Sequence, residues 1–271
     1  MKVSEISRKI VKHLRVYFVL MKASISTEMT YRLDFLSQIS GSIIEILSYW
    51  VFIEIIFSKF DSIAGWGRFE VIAIFGAFTF TISLLKSVLL DNVRNIASKV
   101  PNGELDQYLA KPISPLFLIS LENFHVFYLA RCVIGIIFMY YGLSNTDFIL
   151  DASIVPEMLY VIVLLSVIYY SILLSVFSIS FWAGNISHGY WVFISLSEIA
   201  KIPMSAFHGA WKILFVYAVP FVLFGAVPVG LLLGRIPQNT LLIFTLIAVA
   251  WLFIGRVIWK SGLRSYTSGG G

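Results

Sequence analysis

Long apolar stretches separated by short polar joints run through most of this 271-residue sequence. A helix rises about 1.5 Å per residue and the hydrocarbon core of a bilayer is about 30 Å thick, so about 20 residues without an uncompensated charge can cross it. Five stretches meet this criterion, at residues 36–57, 69–90, 116–141, 158–182 and 240–259. The pattern predicts an all-α, polytopic integral membrane protein.

The distribution of Lys and Arg predicts the orientation of the spans, because basic residues in short loops stay cytoplasmic. Basic residues precede the first span, occupy the joint after the second span and follow the last span. The joint after the third span offers only the acidic residues Asp147, Asp151 and Glu157. Both termini are therefore predicted to be cytoplasmic, which requires an even number of crossings.

The apolar region between residues 190 and 234 then crosses the bilayer only once. We predict a fifth span over about 187–207 and interpret 211–234, which two prolines and a glycine interrupt, as a broken, re-entrant hairpin on the outer side. Non-helical backbone at that depth must be covered by protein or line a cavity. The alternative is a seventh span over 212–234, which would leave a basic tail outside.

Composition agrees with a bilayer environment. Hydrophobic residues make up 59% of the chain and charged residues 13%, about half the charged share of a soluble protein. The net charge of +5 comes largely from the predicted cytoplasmic ends and indicates contact with anionic lipids rather than nucleic-acid binding. Cys132 is the only cysteine, so neither a disulfide framework nor a Cys-x-x-Cys metal site is predicted.

The segment before the first span has a helical pattern of its own. Apolar residues recur at spacings of four and three, at Ile6, Ile10, Leu14, Tyr17, Met21 and Ile25. Basic residues occupy the other faces, which predicts an amphipathic helix in the headgroup plane over residues 1–33, with a solvated basic tail as the alternative. Residues 34–260 then form a six-helix transmembrane domain, and residues 261–271 form a cytoplasmic tail.

The joint between the second and third spans, residues 91–115, is the longest predicted cytoplasmic segment. Residues 101–103 read Pro-Asn-Gly, which is typical of a turn, and Pro112 ends any helix before it. These signals leave a helix of about two turns over residues 104–110.

This short helix is amphipathic. Leu105, Tyr108 and Leu109 fall on one face, and Glu104 and Asp106 lie in the first turn, where the helix dipole favours acids. Because nothing in the predicted chain packs on the apolar face, we expect it to bind in the groove of a partner protein. The alternative is that the helix lies on the lipid surface.

A family resemblance covers nearly the whole chain. It rests on GELDQYLAKPISP at residues 103–115, the series Pro203, Trp211 and Pro220, Pro228 followed by LLLG at 231–234, and GLRSY at 262–266. In these features the chain resembles permease subunits of type-2 ABC transporters, in the exporter-like branch with six spans per subunit.

The resemblance implies that the short cytoplasmic helix couples the membrane subunit to an ATPase subunit. The residues expected to take part are Gly103, Glu104, Leu105, Asp106, Tyr108, Leu109 and Pro112. The implied partners are two copies of an ABC ATPase, a second permease that is identical or related, and the lipids of a prokaryotic plasma membrane. ATP and Mg²⁺ are expected on the ATPase partner.

The resemblance also implies that the outer hairpin closes the exit. The expected translocation or gate residues are Phe215, Pro220, Phe221, Phe224 and Pro228. A pathway lined in this way would be aromatic and uncharged, which suits hydrophobic or amphipathic cargo. The alternative is an ordinary aromatic belt at the membrane interface.

No catalytic or nucleotide-binding motif occurs in the sequence. The G-x-x-x-x-G-K-[ST] loop that cradles ATP phosphates is absent. The chain is therefore predicted not to be an enzyme, and it has no predicted catalytic, cofactor-binding or metal-binding residues. The rival functions are an ion-gradient-driven secondary transporter and a non-transporting membrane assembly protein.

Few ionisable residues fall inside the predicted spans. Glu45 and Glu54 are nine residues apart, face opposite sides of the first span and cannot form one carboxylate site. Glu198 and Lys201 are three residues apart and are predicted to pair with each other. We interpret such groups as inter-helix pairs and polar packing, with substrate or proton sites as the alternative.

The fourth span has a face of small residues. Ser171, Ser175 and Ser178 recur at helical spacing, and such a face lets a neighbouring helix approach closely. We therefore predict helix packing there.

Overall fold

The computed structural model describes residues 2–30, 32–146, 148, 154–237 and 239–267. Every regular element in these ranges is a helix, which confirms the predicted all-α class. The main helices are α1 (Lys2–Thr30), α2 (Arg32–Phe57), α3 (Arg68–Leu85), α4 (Asp106–Leu109), α5 (Pro115–Ser120), α6 (Phe127–Ser144), α7 (Ile154–Ser178), α8 (Gly189–Ser197), α9 (Gly209–Lys212), α10 (Leu223–Leu232) and α11 (Thr240–Ser265). Short helical segments at Lys86–Leu90, Asp91–Arg94 and Ile96–Lys99 continue α3, and Ser180–Ala183 continues α7.

In the described part of the chain, five helical segments are long and apolar enough to cross a membrane. They are Leu36–Phe57, Arg68–Lys99, Phe127–Ser144, Ile154–Ala183 and Thr240–Ser265. The count becomes six if the bent pair Gly209–Ala218 and Leu223–Leu232 forms one span. The chain is thus a multi-pass membrane protein, and the predicted first, second, fourth and last spans coincide with four of these segments.

The third span begins later than predicted. The start of the predicted range 116–141 is the separate helix α5, and α6 begins only at Phe127. In the break, the Asn123 N–H donates to the Asn92 side-chain oxygen at 3.0 Å, and the Asn92 side-chain amide donates to the Asn123 carbonyl at 2.7 Å. Because a buried side chain satisfies the backbone here, the chain does not need to continue as a helix.

The predicted fifth span, residues 187–207, is not one continuous α-helix. It consists of the nine-residue helix α8 and two 3₁₀ turns, Glu198–Lys201 and Met204–Ala206. Pro203 separates the turns, because it has no N–H to donate and disfavours helical backbone in the residue before it. At about 1.5 Å per residue, α8 alone is too short to cross a bilayer.

The broken segment nevertheless runs alongside the second span. Near its start, the Tyr190 hydroxyl donates a hydrogen bond to Asp91 at 2.5 Å. Near its end, the Trp66 indole N–H donates to the Ser205 hydroxyl at 3.0 Å. Since Trp66 precedes the second span and Asp91 lies in its last third, residues 190–205 extend along most of that span.

The region predicted as a hairpin contains α9, the π-helical turn Ile213–Ala218 and α10. Its two halves are bent by 88°. The chain enters it just after Ser205, whose hydroxyl donates to the Ala64 carbonyl at 2.9 Å. It leaves at Arg235, which donates to the Gly65 carbonyl at 2.7 Å. Both ends of the region therefore lie beside the loop before α3.

The second span is the centre of the bundle. In its most apolar window 78% of the residues are buried, against 11% in the first span. A Cβ on Gly76 would lie 2.2 Å from the Met139 nitrogen, and one on Gly135 would lie 2.5 Å from the Phe80 nitrogen. The backbones of α3 and α6 are thus in direct contact, as small residues allow in membrane helices.

Candidate functional site

The α4 segment, residues 100–115, leaves the second span through a tight turn. Gly103 has a φ of 75°, in the left-handed region that glycine adopts readily. The Glu104 N–H donates to the Lys99 carbonyl at 3.0 Å and closes this turn. Helix α4 itself is a single turn, shorter than the predicted helix over 104–110.

The apolar face of α4 packs into the protein. Leu105 is fully buried and Tyr108 is 4% exposed, and both belong to the main core together with Ile96 and Phe177. The expectation that they face a partner is therefore wrong for Leu105 and Tyr108. Only Leu109, at 42% exposed, points outward. The physical reason is that the second and fourth spans, through residues such as Ile96 and Phe177, supply a core for this short helix.

The outward surface of the α4 segment is mostly polar. The exposed residues among the predicted coupling set are Glu104, Asp106, Leu109 and Pro112, whereas Gly103 is half-buried. A role of this surface in ATPase coupling remains a prediction.

A polar network anchors α4 from the inside. The Tyr108 hydroxyl donates to the Glu122 carboxylate at 2.6 Å and accepts a hydrogen bond from the Lys99 ammonium at 2.5 Å. Lys99 also pairs with Glu122 at 3.1 Å. Burial and the Glu122 carboxylate raise the pKa of the Tyr108 phenol above its usual value, so the phenol remains a hydrogen-bond donor.

Helix α1 contacts the same segment. The Lys12 ammonium donates to the Pro112 carbonyl at 3.1 Å, and the His13 ring meets the Phe117 ring of the following helix α5 edge-on, with centroids 4.7 Å apart. Farther along α1, Glu28 accepts a hydrogen bond from the Val126 N–H at 2.9 Å. The first part of the predicted amphipathic stripe, Ile6 and Ile10, lies where side chains fall outside the described residues.

The C-terminal end of α11 lies at this side of the molecule too. Tyr266 packs against the Phe181 ring, with a centroid separation of 6.1 Å. Burial and the nearby Asp106 carboxylate raise the pKa of Tyr266. The two terminal helices and the α4 segment therefore converge at one end of the bundle.

The aromatic residues of the predicted outer gate lie mainly in the core. Phe221 and Phe224 are 1% and 0% exposed, and both meet the buried Tyr169 ring, at centroid distances of 6.0 and 4.9 Å. Pro220 and Pro228 are also buried, and Phe215 is half-buried. Phe221 and Phe224 therefore form packed core in this conformation rather than an open lining, and their role in gating stays a prediction.

The small-residue face of α7 meets the last span. Ser171, Ser175 and Ser178 are buried. A Cβ on Gly255 would lie 3.0 Å from the Ser171 carbonyl oxygen and 3.3 Å from the Ser175 hydroxyl. This close approach involves the first two serines of the predicted packing face.

Several charged side chains inside the membrane region are paired. Arg131 donates two hydrogen bonds to Glu45, at 2.9 and 3.1 Å, and Lys201 lies 3.7 Å from the same carboxylate. Lys201 also contacts Glu198, as the spacing predicts. Glu54 instead pairs with Arg68, so the two glutamates of the first span occupy separate sites.

The sequence reasoning missed the glycines of the α3–α6 contact. Gly135 and Gly142 are seven residues apart on α6, and each lies against the backbone of α3. Their seven-residue spacing, which places both on one face of a helix, is the sequence signal for this contact.

Comparison with known proteins identifies the family. The family model described as ABC-2 family transporter protein matches residues 43–270, which is most of the chain. No curated protein and no solved structure shows a significant match. Together with the multi-pass helical fold, the match shows that this chain belongs to the ABC-2 transporter family and is a membrane permease that associates with an ABC ATPase.

Proposed function

We propose that this permease exports hydrophobic or amphipathic cargo across a prokaryotic plasma membrane. In this proposal it works as one of two permease subunits, identical or related, with two ATPase subunits that hydrolyse ATP. It makes six crossings with both termini in the cytoplasm, and residues 1–33 lie along the inner membrane surface.

The fifth crossing in this proposal is the broken segment from α8 to residues 204–206. Its contacts with Asp91 at one end and Trp66 at the other support this path. Both ends of the α9–α10 region lie beside residues 64–65, which supports a re-entrant hairpin that enters and leaves on the same side. A seventh crossing would instead require those two ends to lie on opposite sides.

The observation that carries the functional proposal is the two-sided packing of α4. Its inner face is part of the protein core, while Leu109 is exposed in the same short segment as the exposed Glu104 and Lys111. An exposed apolar residue with a polar rim is typical of an anchor at a protein interface. We assign this surface to the ATPase subunit.

The test uses the permease co-expressed with its ATPase. Leu109→Ala removes an exposed anchor, so we expect co-purification of the ATPase to weaken by about fivefold or more, equivalent to about 1 kcal/mol, with normal membrane insertion. Leu242→Ala is the matched control, because Leu242 is a more exposed leucine on α11, at 69%. Equal ATPase recovery from both variants would contradict the assignment of this surface.

Direction and energy source are tested in proteoliposomes. Export requires ATP on the side that carries the ATPase and moves cargo away from that side. Transport that persists without nucleotide under an ion gradient would favour the secondary transporter.

A further inference from the structure

Helix α2 exposes two chemically different edges within the first span. Gln38, Gly41, Glu45 and Ser48 follow one another at spacings of three and four, which places them on one edge of the helix. We call this the polar edge. The other exposed edge carries Leu36, Ile43, Leu47 and Val51. The separation is incomplete, because the exposed Phe52 continues the polar edge four residues after Ser48 and the exposed Ser40 lies on the apolar edge.

The polar edge has open space beside it. A Cβ built on Gly41 would meet no atom within 4 Å. Ser48 is exposed, and its hydroxyl only bonds back to the Ile44 carbonyl of its own helix. No side chain of the described residues therefore covers the polar edge at Gly41.

The polar edge contains an ion-pair network near the middle of the membrane. Glu45 is nine residues from Leu36 and twelve from Phe57, the two ends of the span. Lys201 bridges Glu45 to Glu198 of the broken fifth segment, so both carboxylates lie at a similar depth.

Within this network the negative charges lie outside and the positive charges lie inside. The side chains of Glu45 and Glu198 are 39% and 45% exposed. Those of Arg131 and Lys201 are only 17% and 10% exposed. The two cations hold the carboxylates in place from behind and leave their oxygens as the accessible groups.

Lys86 also lies close enough to act electrostatically on Glu45. Its ammonium lies over the Tyr128 ring, 5.5 Å from the ring centroid, and the Asp91 carboxylate also acts on it electrostatically. The carboxylates are therefore the exposed groups of this network, although the network as a whole is close to neutral.

Exposed carboxylates at mid-bilayer are too costly to face lipid tails, so they face protein or water. We propose that the polar edge of α2, with Glu198, borders a water-filled vestibule of the transporter that receives a cationic group of the cargo. This inference rests on the proposed export function and narrows its cargo to amphipathic cations. The exposed acidic oxygens, rather than aromatic rings, would then recognise the cargo.

The test is cysteine labelling in membranes, which needs neither transport nor the ATPase. Single cysteines replace Ser48 or Leu47 in a Cys132→Ser background. They are treated with a cationic and with an anionic methanethiosulfonate reagent, and each rate is normalised to the reaction of that reagent with a free thiol. We expect Ser48→Cys to react, with the cationic reagent favoured about tenfold, and Leu47→Cys to remain unlabelled.

Neutralising the carboxylates provides the specificity control. When Glu45→Gln and Glu198→Gln are added to Ser48→Cys, the cysteine should still be labelled. The ratio of the cationic to the anionic labelling rate should fall toward one. If Ser48→Cys does not label, the vestibule proposal is wrong, and lipid covers this edge. If Ser48→Cys instead forms a disulfide-linked dimer without labelling, a second permease copy covers this edge. If Ser48→Cys reacts equally with the cationic and anionic reagents, the inference that the cargo is cationic is wrong. None of these outcomes depends on export, which the proteoliposome assay tests separately.

Discussion

At the scale of single residues, removing the Tyr108 hydroxyl tests directly whether the polar network with Lys99 and Glu122 stabilises α4. Tyr108→Phe keeps the buried ring but leaves Glu122 and Lys99 without their shared partner. We expect the free energy of unfolding to fall by about 1.5–3 kcal/mol, the usual cost of losing a hydrogen bond to a charged group. Thermal unfolding in detergent measures this loss. An unchanged melting temperature would show that the Tyr108 hydroxyl adds nothing to stability.

The pH dependence of this contribution follows from the raised pKa of Tyr108. A phenol whose pKa is higher in the folded protein contributes stability below its unfolded pKa of about 10, and this contribution disappears as pH rises through the folded pKa. The stability difference between wild type and Tyr108→Phe should therefore be constant at neutral pH and shrink only in strong alkali.

Single residues also show where sequence reasoning reached its limit. The pairing of Glu198 with Lys201 was predictable, because both residues lie on one turn of chain. The burial of Leu105 and Tyr108 was not, since it depends on Glu122 and on helices more distant in sequence. Periodicity identifies the apolar face of a helix but does not say whether the chain or a partner covers it.

At the scale of elements, the contact between α3 and α6 should be the least tolerant of change. Gly135→Ala would place a methyl group 2.5 Å from the Phe80 nitrogen, so the helices must separate. We expect a loss of about 1–3 kcal/mol of stability, as for other overpacked cores. Gly189→Ala is the control, because a Cβ there meets nothing within 4 Å. Similar melting temperatures for both variants would contradict the close packing.

Span positions followed from the apolar pattern wherever a helix is continuous. The pattern failed at the third span, where Asn92 satisfies the backbone of a break. It failed again at the fifth, where Pro203 and two 3₁₀ turns replace a helix. Both breaks contain polar residues, Glu122 and Asn123 in the third span and Glu198 and Lys201 in the fifth. A hydropathy average over about 20 residues absorbs such single residues, so it gives no sign that side-chain hydrogen bonds or turns interrupt the helix.

At the scale of the whole molecule, the convergence of α1, the α4 segment and the end of α11 predicts one shared side. Single cysteines at Asn102 and Thr267, in a Cys132→Ser background, should resist an impermeant thiol reagent added to intact cells. A cysteine at Ser58, beyond the other end of the first span, should react. Asp147 and Asp151, which first indicated an outer joint, lie outside the described residues. Labelling of Thr267→Cys from outside would restore a seventh crossing.

The burial of Leu105 and Tyr108 has a mechanical consequence. Because α4 shares a core with Phe177 of the fourth span, a force on the outer surface of α4 would move α4 and the fourth span together as a rigid unit. Bending would then occur where the chain is least regular. The best candidate is the stretch from Gly184, with its φ of 73°, through the 3₁₀ turns around Pro203. In the proposed function, force that the ATPase applies to α4 would therefore bend the chain between Gly184 and Pro203, away from the contact itself.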